Sequence, residues 1–171
     1  LIGGSGKSTA IGAAIGTAVG TTAGVLIGKK MDKAKAEAAA IANAQVESVT
    51  DANGLQAVKV TFDSGILFAT NKAELNSSAK ASLKEFADVL KNYTDADVAI
   101  VGHTDNTGSD AINNPLSLKR AQSVESYLKS CGVTADQITS VDGKGSKEPV
   151  ADNGTAAGRT QNRRVEVFMY A

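Results

Sequence analysis

Residues 97–106 have the sequence DVAIVGHTDN, and this stretch decides the fold that we predict for the chain. Its first half is apolar through Val98, Ile100 and Val101, which is typical of a buried strand. Its second half is polar and places His103 and Asp105 where the strand runs out into a loop. Polar side chains at the end of a strand often form ligand sites in sheets that alternate with helices, so the stretch predicts both a core strand and a candidate site.

Strands and helices alternate on both sides of this stretch. The predicted elements are strands at 45–50 and 55–63, a helix capped by Asn76 or Ser77, the strand at 97–103, a helix from Asn114-Pro115 to Cys131, and strands at 138–142 and 165–170. The first two strands flank an Asn53-Gly54 pair, which favours a hairpin turn. The order ββαβαββ predicts an α+β fold, with the helices packed on one face of a mixed sheet.

Composition excludes several classes of function. Lys plus Arg and Asp plus Glu both number 18 in the 171 residues, so no excess of positive charge indicates a nucleic-acid partner. Cys131 is the single cysteine and cannot form a disulfide within the chain, so we interpret it as a small core residue. His103 is the single histidine, which leaves too few Cys and His ligands for a structural zinc site. We expect no metal and no cofactor.

Residues 1–45 differ in composition from residues 46–171, and we predict two segments with this boundary. Residues 8–28 carry no charge, and glycine recurs at every fourth position: Gly12, Gly16, Gly20, Gly24 and Gly28. On a helix this spacing forms a glycine stripe along which another backbone can approach closely. We predict a glycine-zipper helix that associates with a membrane or with copies of itself, and a flexible Gly/Ala/Thr linker is the alternative. Lysines follow, and then a predicted Ala-rich spacer helix from Ala34 to Ala44.

The first residues contain a misleading motif. The sequence from Gly3 to Thr9 is similar to the end of a phosphate-binding loop, but the pattern requires glycine where Leu1 stands and a buried strand before it. We therefore do not predict nucleotide binding. Because the sequence starts at Leu1, we expect a fragment or a mature form, and a lipidated N-terminus stays open.

Three polar clusters lie outside the predicted core stripes: G-H-T-D from Gly102 to Asp105, N-x-x-L-S-x-x-R-A from Asn113 to Ala121, and N-x-x-x-x-G-R-x-x-N-R-R-V-E from Asn153 to Glu166. Together with a G-x-G at Gly143 and Gly145, in this order and spacing, they resemble the OmpA-like C-terminal domain. That family includes outer-membrane porin tails, peptidoglycan-associated lipoproteins and flagellar stator proteins. The resemblance covers residues 46–171, and residues 1–45 resemble the glycine-zipper segments that precede this domain in some envelope lipoproteins.

The resemblance implies non-covalent binding of the diaminopimelate residue in the peptidoglycan stem peptide. The end of that side chain carries an ammonium and a carboxylate on one carbon, so its recognition needs a fixed anion and a fixed guanidinium. The family's aspartate and arginine match Asp105 and Arg120. Further positions that line the family's pocket match Asn71, Thr104, Asn106, Asn113, Leu116 and Arg163. Arg164 is similar to a structural partner in the last strand.

Each of these residues also has an ordinary structural interpretation. Asp105 could cap a turn, and Arg120 could be a surface arginine on a helix. Asn113 or Asn114 could cap the second helix, since Asn114 precedes Pro115. A catalytic dyad of His103 and Asp105 is not expected, because no nucleophile is evident, and packing is the commoner role for a single histidine.

The resulting hypothesis is a non-enzymatic protein that anchors the outer membrane to the cell wall, with its globular domain in the periplasm of a Gram-negative envelope. The expected partners are the peptidoglycan stem peptide and the outer membrane, the latter through residues 1–45 or a lipid anchor. The alternative is an envelope assembly protein that forms homo-oligomers through the glycine zipper. An enzyme acting on the wall is disfavoured, because glycosidases need two facing carboxylates and the motifs mark Asp105 alone.

Overall fold

The computed structural model describes residues 20–21, 29–51, 53–69 and 71–170. The strands are β1 (Gly20–Thr21), β2 (Ala44–Thr50), β3 (Gln56–Asp63), β4 (Asp97–His103), β5 (Ile138–Gly143) and β6 (Arg164–Tyr170). The helices are α1 (Lys29–Ala39), α2 (Ser64–Leu67), α3 (Ser77–Asn92), α4 (Asp110–Ser130) and α5 (Ala156–Asn162).

The six strands in the described part of the chain form one mixed sheet in the order β1-β2-β3-β6-β4-β5. All neighbouring strands are antiparallel except β4 and β5, which are parallel. The last strand, β6, lies between β3 and β4, and every one of its residues is buried. The α+β class and the ββαβαββ order of the main elements are therefore confirmed, with two short helices added.

The core lies between the sheet and the longer helices. It contains alternate residues of the strands, such as Val58, Val60, Val165 and Val167, packed against α1, α3 and α4. Phe62 and Phe86 meet edge to face at the centre, with ring centroids 5.8 Å apart. A smaller apolar cluster lies on the opposite face of the sheet and consists of Val49, Ala57, Ala99, Val101, Phe168 and Tyr170.

The segment before β2 differs from the prediction. The expected spacer helix over 34–44 is instead α1, which ends at Ala39 and packs against β2 and α3. Met31, Ala34 and Ala38 are at most 3% exposed and belong to the main core. Ala34 and Ala38 are small and lie on the same face of the helix, which lets α1 pack close to the sheet and explains why it does not hold the domain at a distance.

Only two residues of the predicted glycine-zipper helix are described, and they form no helix. Gly20–Thr21 is β1, which pairs antiparallel with Thr50 and Val49 at the edge of β2. The rest of the predicted zipper helix lies outside the described residues. Within the described part of the chain, no helix is long and apolar enough to cross a membrane.

The second long helix starts earlier than predicted. α4 begins at Asp110 after the N-cap residue Ser109, so neither Asn113 nor Asn114 caps it, and Pro115 lies inside the helix. The missing N–H of Pro115 leaves the carbonyl of Ala111 without its helical donor, and Ala111 is exposed, so water can satisfy this oxygen. Cys131 follows as the C-cap and is only partly buried, although it packs against the core.

Candidate functional site

A cleft of about 1460 Å³ opens where β4 runs into α4. Its walls are the loops that follow β4 and α2, the first turns of α4, and the residue before β6. Seven of the eight predicted site residues line it: Asn71, Thr104, Asp105, Asn113, Leu116, Arg120 and Arg163. The eighth, Asn106, is exposed and is not part of the cleft wall.

Asp105 is a buried carboxylate held by a turn of its own. One of its oxygens, Oδ1, accepts hydrogen bonds from the backbone N–H of Thr107, at 2.9 Å, and from the Thr107 hydroxyl. The other, Oδ2, lies 2.5 Å from Nη1 of Arg163. Burial raises the pKa of Asp105, but the Thr107 hydrogen bonds and the Arg163 charge together lower it by more, so the net shift of the pKa is downward. The carboxylate is therefore ionised at neutral pH.

Arg120 provides the opposite charge from α4 and is only 6% exposed. Its Nε donates to the carbonyl of Lys72 at 3.0 Å, and its guanidinium carbon lies 5.1 Å from the centroid of the Phe68 ring. Burial and the Arg163 charge lower the pKa of Arg120, whereas Asp105 raises it, and the guanidinium stays charged. Among the described residues, Lys72 is its one hydrogen-bond acceptor, so the Nη donors are available to an anion in the cleft.

Close packing of α4 on the sheet places Arg120 opposite Asp105. A Cβ atom on Gly102 would lie 2.0 Å from the carbonyl oxygen of Ser117, and one on Gly143 would lie 2.3 Å from the backbone nitrogen of Leu118. Glycine at both positions therefore lets the helix backbone touch β4 and β5. The Ser117 hydroxyl accepts a hydrogen bond from the N–H of Gly145 at 3.0 Å, which ties the helix to the loop after β5.

Asn113 and Thr104 brace the loop that carries Asp105. The amide of Asn113 donates to the carbonyl of Gly108 at 3.0 Å and more weakly to that of Asp105 at 3.4 Å. The N–H of Thr104 donates to the carbonyl of Gly145 at 2.9 Å. Both side chains are nearly buried, so their contribution to the site includes holding the loop as well as lining the cleft.

The charged residues of the cleft wall are unequal in number. Four are cations, namely Lys72, Lys119, Arg120 and Arg163, and two are carboxylates, Glu74 and Asp105. Arg163 already neutralises Asp105. The excess of cations therefore favours a ligand with a net negative charge. No group of three or more His, Cys, Asp or Glu side chains in the described ranges could hold a metal ion.

Comparison with known families agrees with this architecture. The OmpA family matches residues 67–163, more than half of the 171 residues. The chain belongs to the OmpA family. A glycine-zipper family also matches residues 1–35, so the two resemblances in the sequence are both confirmed.

Curated relatives of this OmpA-family chain include binding and envelope proteins. The peptidoglycan-binding protein ArfA of Mycobacterium tuberculosis is 47% identical over 104 residues, which make up 61% of this chain and 32% of ArfA. The outer-membrane lipoprotein YfiB of Pseudomonas aeruginosa is 40% identical over 108 residues, or 63% of this chain and 64% of YfiB. The chain thus spans about a third of the length of ArfA.

Solved structures share the fold of the OmpA-family chain. The cell wall anchor of the T6SS from Pseudomonas aeruginosa has 31% identity and a TM-score of 0.67, covering 82% of this chain and 96% of that one. The peptidoglycan-associated lipoprotein from Burkholderia pseudomallei has 29% identity and a TM-score of 0.56, covering 61% and 87% respectively.

Sequence reasoning missed three residues of the OmpA-family site. Thr107 bonds the carboxylate of Asp105, and the D-x-T spacing could have indicated it, because an aspartate often accepts from the residue two positions later. Phe68 lies under Arg120, and Ile112 lines the cleft while 60% exposed. Neither has a local signal, since their position depends on how α2 and α4 meet.

Arg164 and His103 of the OmpA-family domain lie on the reverse face of the sheet, away from the cleft. Arg164 donates to the carbonyls of Asn162 at 3.1 Å and Glu148 at 2.9 Å, and its Nη2 lies 3.2 Å from Glu166. His103 Nε2 lies 2.6 Å from the same Glu166 carboxylate. Both side chains are thus engaged in a buried network, in keeping with the structural roles expected for them.

Proposed function

We propose that this domain binds the peptidoglycan stem peptide non-covalently through its diaminopimelate residue and so anchors the outer membrane to the cell wall. The observation that carries the proposal is one buried carboxylate, Asp105, and one buried guanidinium, Arg120, facing the same cleft. Asp105 would accept the ammonium of the ligand, and the Nη donors of Arg120 would bind the carboxylate on the same carbon. The names of ArfA and of the Burkholderia lipoprotein, which refer to peptidoglycan, support this assignment.

A binding role fits the cleft better than hydrolysis. Cleavage of a glycan needs two carboxyl groups of which one is protonated to act as an acid. The pKa of Asp105 is lowered, and its carboxylate is paired with Arg163, so Asp105 is unsuited to donate a proton. We therefore propose that the cleft recognises a ligand and does not catalyse a reaction.

Calorimetric titration of the whole chain tests the proposal. The whole chain is required because Met31, Ala34 and Ala38 belong to the core, so a fragment starting at residue 46 would lack part of it. The ligand is a free stem peptide containing diaminopimelate, and the matched control peptide contains lysine, which lacks the side-chain carboxylate. We expect saturable one-to-one binding of the first peptide and much weaker binding of the second.

Variants assign the binding to the cleft. We expect Arg120→Ala to weaken binding about 30-fold, or about 2 kcal/mol, because it removes the guanidinium that would bind the ligand carboxylate. Asp105→Asn should weaken binding less, because the ammonium gains from Asp105 only what Arg163 gives up. Asn106→Ala is the control, because Asn106 is exposed outside the cleft. Absence of saturable binding by the parent, or equal affinity for the lysine peptide, would contradict the proposal.

A second candidate function is self-assembly through the glycine-zipper segment, which the family match over residues 1–35 favours. Sedimentation of the chain in detergent, with and without Gly12→Leu and Gly16→Leu, tests it. Loss of oligomers in the variants would support assembly, and a monomeric parent would exclude it under those conditions. Flotation with phospholipid vesicles tests the proposed association of the same segment with a membrane.

A further inference from the structure

Asp105 and Arg163, which form the ion pair in the cleft, lie just beyond the ends of the paired strands β4 and β6. Asp105 follows β4 by two residues, and Arg163 directly precedes β6. In the antiparallel pairing of these strands, His103 and Arg164 are the last partners. The backbone ladder therefore ends before it reaches Asp105 or Arg163, and other contacts have to fix the distance between them.

One carboxylate connects the two strand ends on the reverse face. Glu166 Oε1 lies 2.6 Å from Nε2 of His103 and 3.2 Å from Nη2 of Arg164, and Oε2 lies 3.3 Å from Nζ of Lys59. The side chains of His103, Arg164 and Glu166 are 1%, 5% and 8% exposed. Glu166 thus joins, through side chains, the residue two positions before Asp105 and the residue directly after Arg163.

A buried charged network is a costly way to add stability alone, because each ion loses its hydration. It does restrict geometry, because its members keep their hydrogen bonds only in one arrangement. The restricted positions here are those beside Asp105 and Arg163, and not those at the far ends of β4 and β6, where Phe168 and Tyr170 take the same face.

We infer that Glu166 is a positioning residue for the ligand site: by holding His103 and Arg164 together on the reverse face, it fixes Asp105 and Arg163 relative to each other in the cleft. The inference rests on the proposed function for its binding test. It assigns to the reverse face a part in recognition, although His103, Arg164 and Glu166 do not line the cleft.

Glu47 provides a control on the same face, in a more exposed position than Glu166. Its carboxylate lies 2.6 Å from Nζ of Lys59, the same lysine that contacts Glu166, but Glu47 belongs to β2 and adjoins neither end of the site. Glu166→Gln and Glu47→Gln therefore make the same chemical change to one connected network. Only the first acts at the strand ends that carry Asp105 and Arg163.

Affinity for the diaminopimelate peptide is measured for the parent and both variants, at pH 7 and at a temperature where circular dichroism shows all three folded. We expect Glu166→Gln to weaken binding about tenfold and Glu47→Gln less than about twofold. Repeating Glu166→Gln in an Arg163→Ala background tests the route, because the loss shrinks if Glu166 acts through Arg163. Equal affinities for the two glutamine variants, or an undiminished loss in the Arg163→Ala background, would overturn the inference.

A measurement without ligand keeps this test separate from that of the proposed function. The carboxyl carbon of Asp105 is followed by NMR through a pH titration. If Glu166 positions Arg163, Asp105 titrates at higher pH in Glu166→Gln and not in Glu47→Gln; no change in either variant refutes the inference. Should Glu166→Gln fail to fold, His103→Gln and Arg164→Lys are the replacements in both experiments. A parent that does not bind the peptide would refute the proposed function and leave this second readout decisive for Glu166.

Discussion

Acidification is the most quantitative test of the buried network around Glu166. Burial raises the pKa of Glu166. The hydrogen bond from His103 and the charges of Arg164, His103 and Lys59 have the opposite and larger effect, so the pKa falls from an ordinary value of 4.5 to about 2. Because the folded-state pKa is depressed, this carboxylate contributes stability at every pH above about 4.5. The contribution is lost as the pH falls from about 4.5 to about 2.

The expected size follows from the two pKa values. At about 1.4 kcal/mol for each tenfold change in proton affinity, the difference between 4.5 and about 2 corresponds to about 3 kcal/mol. Glu166→Gln removes this charge and leaves Arg164 and Lys59 without it, so at pH 7 we expect the variant to be less stable than the parent by about 3 kcal/mol. The free energies of unfolding of the two proteins should converge as the pH approaches 2.5.

Urea denaturation followed by far-UV circular dichroism, at pH 7, 4.5, 3.5 and 2.5, measures the free energy of unfolding of the parent and of Glu166→Gln. Glu85→Gln is the control, because Glu85 is exposed on α3, and it should follow the parent at every pH. Asp105→Asn is measured as well, since the pKa of Asp105 is also lowered and contributes to the same acid slope. A constant gap between the parent and Glu166→Gln from pH 7 to 2.5 would refute the reasoning.

Three further predictions concern packing, hydrogen bonding and the shape of the guanidinium. Gly102→Ala should lower the free energy of unfolding by about 1–3 kcal/mol, because the new Cβ would lie 2.0 Å from the Ser117 carbonyl. Asn162→Ala should lower it by about 2–4 kcal/mol, because the fully buried Asn162 accepts from the N–H groups of Val150 and Ala151. Arg120→Lys should weaken peptide binding about tenfold in calorimetry although the charge is kept, because lysine has no planar fork of donors.

The control variants for these predictions change exposed residues. Ala156→Gly and Asn106→Ala are exposed, and Asn106→Ala should change the free energy of unfolding by at most about 0.5 kcal/mol. A Gly102→Ala variant as stable as the parent would mean that α4 can move away from β4 at little cost. Parent-like binding by Arg120→Lys would show that charge alone is recognised.

Elements with a strong periodic pattern were predictable from the sequence. Alternation fixes β3, where Val58, Val60 and Phe62 face the core, and the β2–β3 hairpin follows from its Asn-Gly turn. Asn76 caps α3 as one of the two expected residues, accepting from the N–H of Ala79 at 2.8 Å. These features depend on contacts between residues close in sequence, so local reasoning reaches them.

Two helices show where that reasoning fails. The apolar face of α1 consists of Met31, Ala34 and Ala38, whose spacing indicates a buried stripe, but alanine is too small to distinguish a packed helix from a spacer by composition. The helix α5 lies between the strands predicted at 138–142 and 165–170, where no further element was predicted from the sequence. Its stability comes from tertiary contacts such as those of Asn162 with residues 150–153. Side-chain amides that bond distant backbone groups leave no periodic pattern in the sequence.

The candidate site combines both situations. The family resemblance predicts that Asp105 and Arg120 serve one site, yet their placement along the same cleft depends on Gly102, which lets α4 lie against β4. The Nε of Arg120 bonds a main-chain carbonyl, that of Lys72, which any residue could provide. No side-chain pattern can therefore predict this hydrogen bond, and the orientation of Arg120 becomes known only from the folded chain.

The charges of the cleft indicate which part of the ligand supplies the binding energy. Arg163 already neutralises Asp105, so an incoming ammonium has to displace Arg163 before it can pair with Asp105. The interaction energy that the ammonium gains is therefore offset by the energy that Arg163 loses. A carboxylate loses nothing comparable, since it binds the unused Nη donors of Arg120 and can also take over the Arg163 guanidinium once this leaves Asp105. In the proposed complex the anionic groups therefore dominate affinity, and the ammonium mainly provides discrimination. In the proposed function each stem peptide would be bound modestly, and firm anchoring would come from many copies engaging one wall at the same time.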